Sequence, residues 1–541
     1  MQFSLADIFE AVAARVPDRE AVVCGDRRLT YQELDERASR LAHYLLRQGV
    51  KPGDHVGIYL HNSPEYLEAL FACFKICAVP VNINYRYVKQ ELQYLFDSAD
   101  LRVCIFHQGF ADQIQHLYQS GHAFSLLMWV ADDSCAELTL PAADYHGAID
   151  SERPRGEFPS RSGADQYLLY TGGTTGKPKG VLWQHEKLFF AALGGGGFFS
   201  ADGPCQRPQD IVERINEHPF CGIAMAPLMH GAAQWFSLVQ LFAGNKLVLL
   251  PQANFDPDIA WQWVADEACH LVQIVGDAMA VPLLEALRRS PNRWDLSAVF
   301  SIGSGGALLS PSSRRGFLQH FPRAYITNSY GSSESGQMGM DVGDYQGAGV
   351  AKIAATDDAA VLLIRGDAIR RARVGEQGVL ARSGMIPEGY YADPEATAMA
   401  FVNLDGRRWL LTGDIAEQDD SGSIRIYGRG NHCINTGGEK VFPEEVEMAL
   451  KSHPDILDAL VFGVEDARWG SRVTAVVQTR DNGPLDEQGV LAHCREQLAA
   501  YKLPRQMLLV DHIPRNPSGK PDYPRARQCL EFAHLDAVQS G

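Results

Sequence analysis

Hydrophobic residues recur along the chain in two rhythms, one helical and one of short uninterrupted runs. Leu34, Ala38, Leu41, Ala42 and Leu45 fall on one face of a 3.6-residue repeat, which predicts an amphipathic helix. Thr30 and Glu33 mark its start: in a T-x-x-E capping box the hydroxyl accepts a helix N–H and the carboxylate reaches back to the cap. Gly49 is its expected stop. Residues 56–60 read as a strand. Ser63 and Pro64 open the next helix, because proline at the first helical position forfeits no useful hydrogen bond. Apolar runs bounded by turns follow at 167–170, 247–250 and 298–302, with helical patterns between or after them. Short buried strands mixed with helices predict α/β layers with at least partly parallel sheets. No 20–50-residue period stands out, which disfavours a solenoid.

The pattern changes after about residue 428. A short helix over 443–450, strands over 459–464 and 473–478, a helix over 487–499 and a strand over 507–510 make a small α+β unit. A boundary or hinge at 428–431 divides the chain into residues 1–428 and 429–541, the second part being about 110 residues, a common domain size.

Composition narrows the classes. The 541 residues include 49 Lys and Arg against 66 Asp and Glu, a net charge of −17. That balance argues against a broad nucleic-acid surface while leaving room for a local basic site. With 46% hydrophobic and 21% charged residues the chain has ample material for a core. Eleven scattered cysteines without a CxxC pair predict free thiols in a reducing compartment. The start, Met1, Gln2, Phe3, has no basic region followed by an apolar run, and no stretch reaches 18 apolar residues. The expectation is a cytoplasmic protein with no integral membrane association.

The sharpest local signal is Tyr170-Thr171-Gly172-Gly173-Thr174-Thr175-Gly176-Lys177-Pro178-Lys179-Gly180, directly after a predicted strand. Glycines let backbone N–H groups converge, and threonine hydroxyls and lysines add donors and positive charge, as a polyphosphate requires. It is not a Walker A loop: the spacing is wrong and Pro178 stands where a hydroxyl would hold magnesium. Gly303-Ser304-Gly305 is a weak dinucleotide signal, since Leu308 replaces the third glycine. A solvent-exposed turn is the alternative, but two lysines and four glycines in eleven residues favour phosphate handling.

On these residues the chain resembles the acyl-adenylate-forming enzymes, which include acyl-CoA synthetases, adenylation domains of peptide synthetases and beetle luciferases. The 170–180 loop is similar to the family's phosphate loop, with Gly172 where serine is common, and five further segments follow in family order. Ile434-Asn435-Thr436-Gly437-Gly438-Glu439-Lys440-Val441-Phe442-Pro443-Glu444-Glu445-Val446-Glu447 resembles the bacterial fatty-acyl and steroid-side-chain CoA ligases. The implied fold is a large amino-terminal AMP-binding lobe of layered α/β subdomains with an additional distorted β-barrel, and a small mobile α+β carboxyl-terminal domain.

The resemblance also implies roles. Thr171, Gly172, Gly173, Thr174, Thr175, Gly176, Lys177 and Lys179 would hold the phosphates of ATP. His230 and Trp235, near Ala226-Pro227-Leu228-Met229-His230-Gly231, would border the carboxylate pocket, His230 as a positioning residue rather than a base. Gly305, Gly306 and Ala307 would lie along the adenine, with Gly306 and Gly331 also facing the acid. In Tyr330-Gly331-Ser332-Ser333-Glu334, Tyr330 would pack on adenine, Ser333 would supply the hydroxyl usually given by threonine, and Glu334 would hold Mg²⁺. Asp414 of Thr412-Gly413-Asp414 would accept from the ribose diol, and Arg429 would contact ribose and phosphate. Asn431 stands at the hinge position, where Asp or Lys is usual. Gly437, Gly438 and Glu439 would flank the path of the CoA thiol. Lys520, in Pro514-Arg515-Asn516-Pro517-Ser518-Gly519-Lys520, would bridge the carboxylate and the α-phosphate, stabilising charge electrostatically.

The implied reaction is ATP-dependent formation of acyl-AMP followed by transfer to CoA, with ATP, Mg²⁺ and CoA as cofactor and cosubstrates and a small-molecule carboxylic acid as partner. A medium- or long-chain fatty acid or a sterol-derived acid is the first expectation. Phe189, Phe190, Phe198 and Phe199 around the 194–197 glycines either border a tunnel for it or belong to the core. An aromatic acid, a carrier-protein acceptor and a nucleotide-binding regulator are the alternatives, and self-association into a homodimer stays open.

Overall fold

The computed structural model describes residues 1–134, 136, 138–171, 177–252, 254–307, 309–341, 351–366, 368–436, 439–466, 470–480, 483–516 and 520–530. Gly172, Gly173, Thr174, Thr175 and Gly176 of the phosphate loop, and Gly437 and Gly438, lie outside the described residues.

The first helix predicted from periodicity spans Tyr31–Arg47, and both halves of its capping box form: the Glu33 N–H donates to Thr30 Oγ1 (3.2 Å) and the Thr30 N–H to Glu33 Oε2 (2.7 Å). Its five periodic residues are all buried. Helix Pro64–Lys75 begins at the expected proline and is buried on every face, so its terminal Lys75 is fully enclosed and neutralised by Glu10 (2.5 Å) and Asp35 (2.8 Å). A buried ammonium is tolerable only with such partners.

These helices lie among two eight-stranded sheets, both mixed and mostly parallel. In one, His55–Tyr59 is flanked by Val79–Asn82 and Val103–His107, and Gln166–Thr171 leads into the phosphate loop before Lys179–Gln184 returns antiparallel. In the other, Cys221–Ala224, Leu271–Ile274, Ser301–Gly305 and Tyr325–Ser332 run parallel in that order. The additional all-β subdomain is a seven-stranded antiparallel sheet built around Arg407–Gln418. The carboxyl-terminal unit packs helices Pro443–Lys451 and Glu487–Arg495 on a five-stranded sheet centred on Gly470–Thr479, with Ile456–Asp466 along one edge. This is the two-lobed α/β architecture expected.

Two elements differ from expectation. The strand predicted at 298–302 is Ser301–Gly305: Val299 sits in a turn closed onto Leu296, and the true strand is made of small residues. The helix predicted to reach residue 499 ends at Arg495, after which the chain turns into Ala500–Lys502. The ten described cysteines are all free thiols. Among the described residues no helix is long and apolar enough to cross a membrane.

Candidate active site

The strand Tyr325–Ser332 carries Tyr330 to its carboxyl end, where the phenol donates a close hydrogen bond to Asp414. Asp414 and Arg429 are cross-strand partners between Arg407–Gln418 and Ser423–Arg429, so antiparallel register alone sets carboxylate against guanidinium, at 3.1 Å. Arg429 also donates to the Thr412 carbonyl (2.7 Å). Burial pushes the Tyr330 phenol well above its ordinary range, and Asp414 pushes it further. Burial works against the Arg429 charge, but Asp414, Tyr330 and Glu334 together hold it above the usual guanidinium value.

Glu334 sits on the turn that follows Tyr330. Ser332 and Ser335 close that turn with reciprocal bonds, the Ser332 N–H to Ser335 Oγ (2.9 Å) and the Ser335 N–H to Ser332 Oγ (3.1 Å). Trp183 donates to the Ser333 carbonyl (2.9 Å), and Tyr390 donates to Glu334 Oε1 (3.3 Å). Lys179 lies over the Tyr390 ring at 5.2 Å and 3.6 Å from Asp393, while Lys177 rests over Tyr94 at 4.6 Å.

Lys520 arrives from the small domain. Its loop is tied by the Asn516 N–H to the Lys520 carbonyl (2.8 Å) and by the Lys520 N–H to Asn516 Oδ1 (3.0 Å). Burial lowers the ammonium below the ordinary lysine range; Glu334 pulls it back up and Arg429 pushes it down. The same ammonium helps to hold His230 neutral: burial first, then Lys520 and Arg86, take that imidazole down to about 3. His230 Nε2 is buried without a hydrogen-bond partner among the described residues. A neutral ring with an open nitrogen suits positioning and cannot serve as an acid. Thus Glu334, Arg429, Lys520 and His230 share one electrostatic neighbourhood, and Tyr330 and Asp414 join it through Arg429.

Gly305 ends the strand Ser301–Gly305 and Gly306 and Ala307 follow it; a Cβ on Gly306 would meet Ala232 and Val275 at 3.8 and 3.9 Å. Gly331 is hemmed in by the backbone of Gly336. The Trp235 indole lies back along the helix Gly231–Phe242 against Gly231, the residue after His230. Asn431 is in the turn Gly430–His432, and Glu439 is exposed on the hairpin formed by Ile434–Thr436 and Glu439–Val441.

The AMP-binding enzyme family model matches residues 9–391, and the AMP-binding enzyme C-terminal domain model matches 445–520. The chain belongs to the AMP-binding enzyme family. A 3-oxocholest-4-en-26-oate–CoA ligase from Rhodococcus rhodochrous is 39% identical over 547 residues, spanning 99% of this chain and 98% of that protein. The medium-chain acyl-CoA ligase Mig from Mycobacterium avium is 36% identical over 551 residues, spanning 97% and 98%. The crystal structure of the anthranilate CoA ligase AuaEII with anthranoyl-AMP shares the fold, with a TM-score of 0.84 at 21% identity over 98% of each chain. This AMP-binding enzyme is an ATP-dependent, acyl-adenylate-forming ligase.

Three residues of the family member's site carry no motif that marks them. Arg382 donates to the Gln337 carbonyl (2.8 Å) and, more closely, to that of Ser335, fixing the far side of the Glu334 turn. Tyr390 orients Glu334. Buried Asn82 accepts from the Tyr170 N–H (2.7 Å) and donates to the carbonyls of Tyr170 (2.9 Å) and Met229 (2.7 Å), joining the strand that enters the phosphate loop to the His230 segment. The only sequence signal for Asn82 is a polar residue ending an otherwise apolar run.

Proposed function

We propose that this enzyme activates a medium- or long-chain fatty acid, or a sterol-derived acid, and transfers it to CoA. In the first step a carboxylate oxygen attacks the α-phosphorus of ATP, the bond to the β-phosphate bridging oxygen breaks, and pyrophosphate leaves. In the second the CoA thiol, losing its proton, attacks the acyl carbonyl and AMP leaves. The observation that carries the reading is the entry of Lys520 into the neighbourhood of Glu334, Arg429 and His230. There an ammonium of lowered basicity meets the charge that develops on attack, in a partly desolvated place where such stabilisation is strong. Asp414 takes the ribose hydroxyls in this reading, Tyr330 and the 305–307 loop take adenine, Thr171, Lys177 and Lys179 lie beside the phosphates, and His230 orients the acid.

Glu334 fits a magnesium ligand. It accepts one long hydrogen bond, from Tyr390, and no cluster of three or more metal-holding side chains occurs among the described residues. Mg²⁺ commonly takes one or two carboxylates and completes its shell with phosphates and water. When bound it screens the phosphate oxygens.

The helix Gly231–Phe242, which follows His230, supports this choice of acid. Its far end, with Val239 and Phe242, borders a small cavity that Phe189, Leu193, Phe198 and Phe199 also line. Twelve helical residues span about 18 Å, which is the reach of a long acyl tail. Of the four phenylalanines, Phe189 and Phe190 pack on Phe3, while Phe198 and Phe199 are exposed, so the group is partly core and partly rim. The names of the two relatives above support an aliphatic or steroid acid.

We place the domain boundary at 429–432, since Ser423–Arg429 belongs to the seven-stranded sheet and Ile434–Thr436 to the small domain. Rotation there would withdraw Lys520 and present Glu439 to the thiol. Pyrophosphate release from ATP across a panel of carboxylates, with and without CoA, tests the proposal. Acid-dependent release followed by an acyl-CoA mass is expected; nucleotide binding without turnover across the panel would overturn it.

A further inference from the structure

We propose that Asp277 is a positioning residue for adenylation: an amino-terminal-lobe carboxylate that docks the small domain, through Lys451, in the arrangement that delivers Lys520. The inference rests on the adenylation reading above and names a group which that reading does not use. Asp277 lies in the first turn of the helix Gly276–Arg289 and is only 2% exposed. Its Oδ1 accepts from the Ser310 N–H (3.0 Å) and hydroxyl (3.1 Å). Its Oδ2 faces Lys451 Nζ at 3.6 Å, across the contact between the lobe and the helix Pro443–Lys451.

From Lys451 the chain of contacts runs to the catalytic loop. Lys451 Nζ is 3.1 Å from Asp458 Oδ1, and Asp458 Oδ2 accepts from Arg515 Nη2 (2.6 Å) and Nε (3.1 Å). Arg515 forms a β-bridge with Pro521, the residue after Lys520, and the neighbouring Asn516 binds the Lys520 backbone twice. Glu447, whose carboxylate accepts from the Val461 N–H (2.9 Å), completes the charged groups facing Lys451. Burial opposes the Lys451 charge, and Asp458 and Asp277 outweigh it.

Two features mark this as a dock rather than a static brace. The bonds inside the small domain are short, whereas the one that crosses between the domains is a 3.6 Å ion pair without a hydrogen bond. The rigid part of the network therefore travels with Lys520, and the weak link lies where the domains must part. Asp458 is shared between Lys451 and Arg515, two cations against one carboxylate that touches both, so the buried Lys451 favours a second anion at that spot. Asp277 is also tied to the acid pocket: the Gly276 N–H donates to Ser304 Oγ (3.0 Å), and Val275 faces Gly306. The docking carboxylate is thus seated on the segment that forms the wall beside Gly306.

The test is Asp277→Asn, which keeps an acceptor for Ser310 and removes the charge. Both half-reactions are followed in the full chain. Acid-dependent pyrophosphate release is expected to fall at least tenfold, while thioester formation from supplied acyl-adenylate and CoA stays within twofold of wild type. Lys451→Gln should lower the same half-reaction, and the double variant should be no slower than the slower single one. Small-angle scattering of the unliganded chain should show a larger radius of gyration for Asp277→Asn. Equal loss in both half-reactions, or an unchanged ratio and an unchanged radius, would overturn the assignment. A wild-type chain without pyrophosphate release on any acid would sink the adenylation reading instead, and the scattering comparison would still decide whether Asp277 docks the domain.

Discussion

A methyl group on Gly331 gives the most direct test of how tightly the Glu334 turn is built. A Cβ there would stand 2.1 Å from the Gly336 carbonyl oxygen, 3.0 Å from its carbon and 3.1 Å from Gln337 Cα. All three atoms are backbone, so no rotamer change relieves them. Restoring even a 3.0 Å contact to the oxygen requires a shift of about 0.9 Å. Gly336 cannot simply retreat: its φ is +64°, and its own Cβ position is 2.7 Å from the Ala191 carbonyl on the helix His185–Ala192. The displacement must pass into Tyr330 on one side or into the turn carrying Ser333 and Glu334 on the other. Overpacking of this kind costs about 1–3 kcal/mol, and a misplacement of about 1 Å near the chemistry costs on the order of 100-fold in rate. Gly331→Ala is therefore expected to lose about two orders of magnitude in acid-dependent pyrophosphate release at saturating ATP, with a stability loss of about 1–3 kcal/mol by chemical denaturation. Gly305→Ala is the counterpart, since the nearest atom to its Cβ position is Ser329 Cβ at an ordinary 3.7 Å. Its fold should be unharmed, and any rate loss would report crowding of adenine or acid. Activity of Gly331→Ala within fivefold of wild type would refute the reasoning.

Other perturbations follow from the same contacts. Because burial and Arg429 lower the Lys520 ammonium while Glu334 raises it, the alkaline limb of the adenylation rate should lie below the ordinary lysine value, where the charged form is lost. Glu334→Gln should move that limb to lower pH and Lys520→Arg should abolish it; a limb that ignores both variants would detach it from Lys520. Arg382, brought down to about 10 by burial with Asp358 opposing, remains charged at neutral pH. Arg382→Met should cost about 2–4 kcal/mol, since hydrogen bonds from a charged group contribute about 1.5–3 kcal/mol each and relief of burial offsets part. It should also depress pyrophosphate release while Arg382→Lys recovers only a fraction, because a point charge does not reproduce the planar fork. Asn82→Leu leaves three buried backbone groups without partners and should destabilise the large lobe by about 3–5 kcal/mol in urea unfolding; a loss below about 1 kcal/mol would mean that those groups find other partners.

The sequence made legible what depends on local chemistry. The Thr30–Glu33 box and the proline starts at 64 and 443 rest on neighbours a few positions apart, and each has a structural counterpart. The strand Ser301–Gly305 escaped periodicity because it is built of serine and glycine around a single isoleucine, small enough for the parallel neighbours and for Gly306 to approach Val275. The apolar residues just before it instead fill a turn. Arg382 was invisible because its targets are carbonyl oxygens, which leave no mark in the sequence, on a strand some forty-five positions away. Asp414 and Arg429 stood out through resemblance, but what sets them face to face is the bulged antiparallel register between their strands. Trp235 also came from the resemblance; along the helix its side chain leans toward the preceding turn and covers Gly231, the residue after His230.

In the proposed function, the charged groups of the site come from several subdomains. Lys179 comes from the sheet around His55–Tyr59, Glu334 from the turn beyond Tyr325–Ser332, Asp414 and Arg429 from the antiparallel sheet, and Lys520 from the small domain. With the small domain withdrawn, the remaining groups would still bind a nucleotide, since Arg429 and Lys179 keep their positive charge near Glu334. They would lack the cation that meets the attacking carboxylate. In the proposed reaction, carrying that cation on a separate body would make its arrival reversible, and the reversal would clear space for a thiol once the adenylate has formed. The arrangement predicts that Lys520→Ala loses adenylation and retains nucleotide binding, because the interactions removed belong to the transition state rather than to ground-state binding. Equal loss of nucleotide affinity and of rate, measured by calorimetry and pyrophosphate release, would place Lys520 among the binding groups and undo this division of labour.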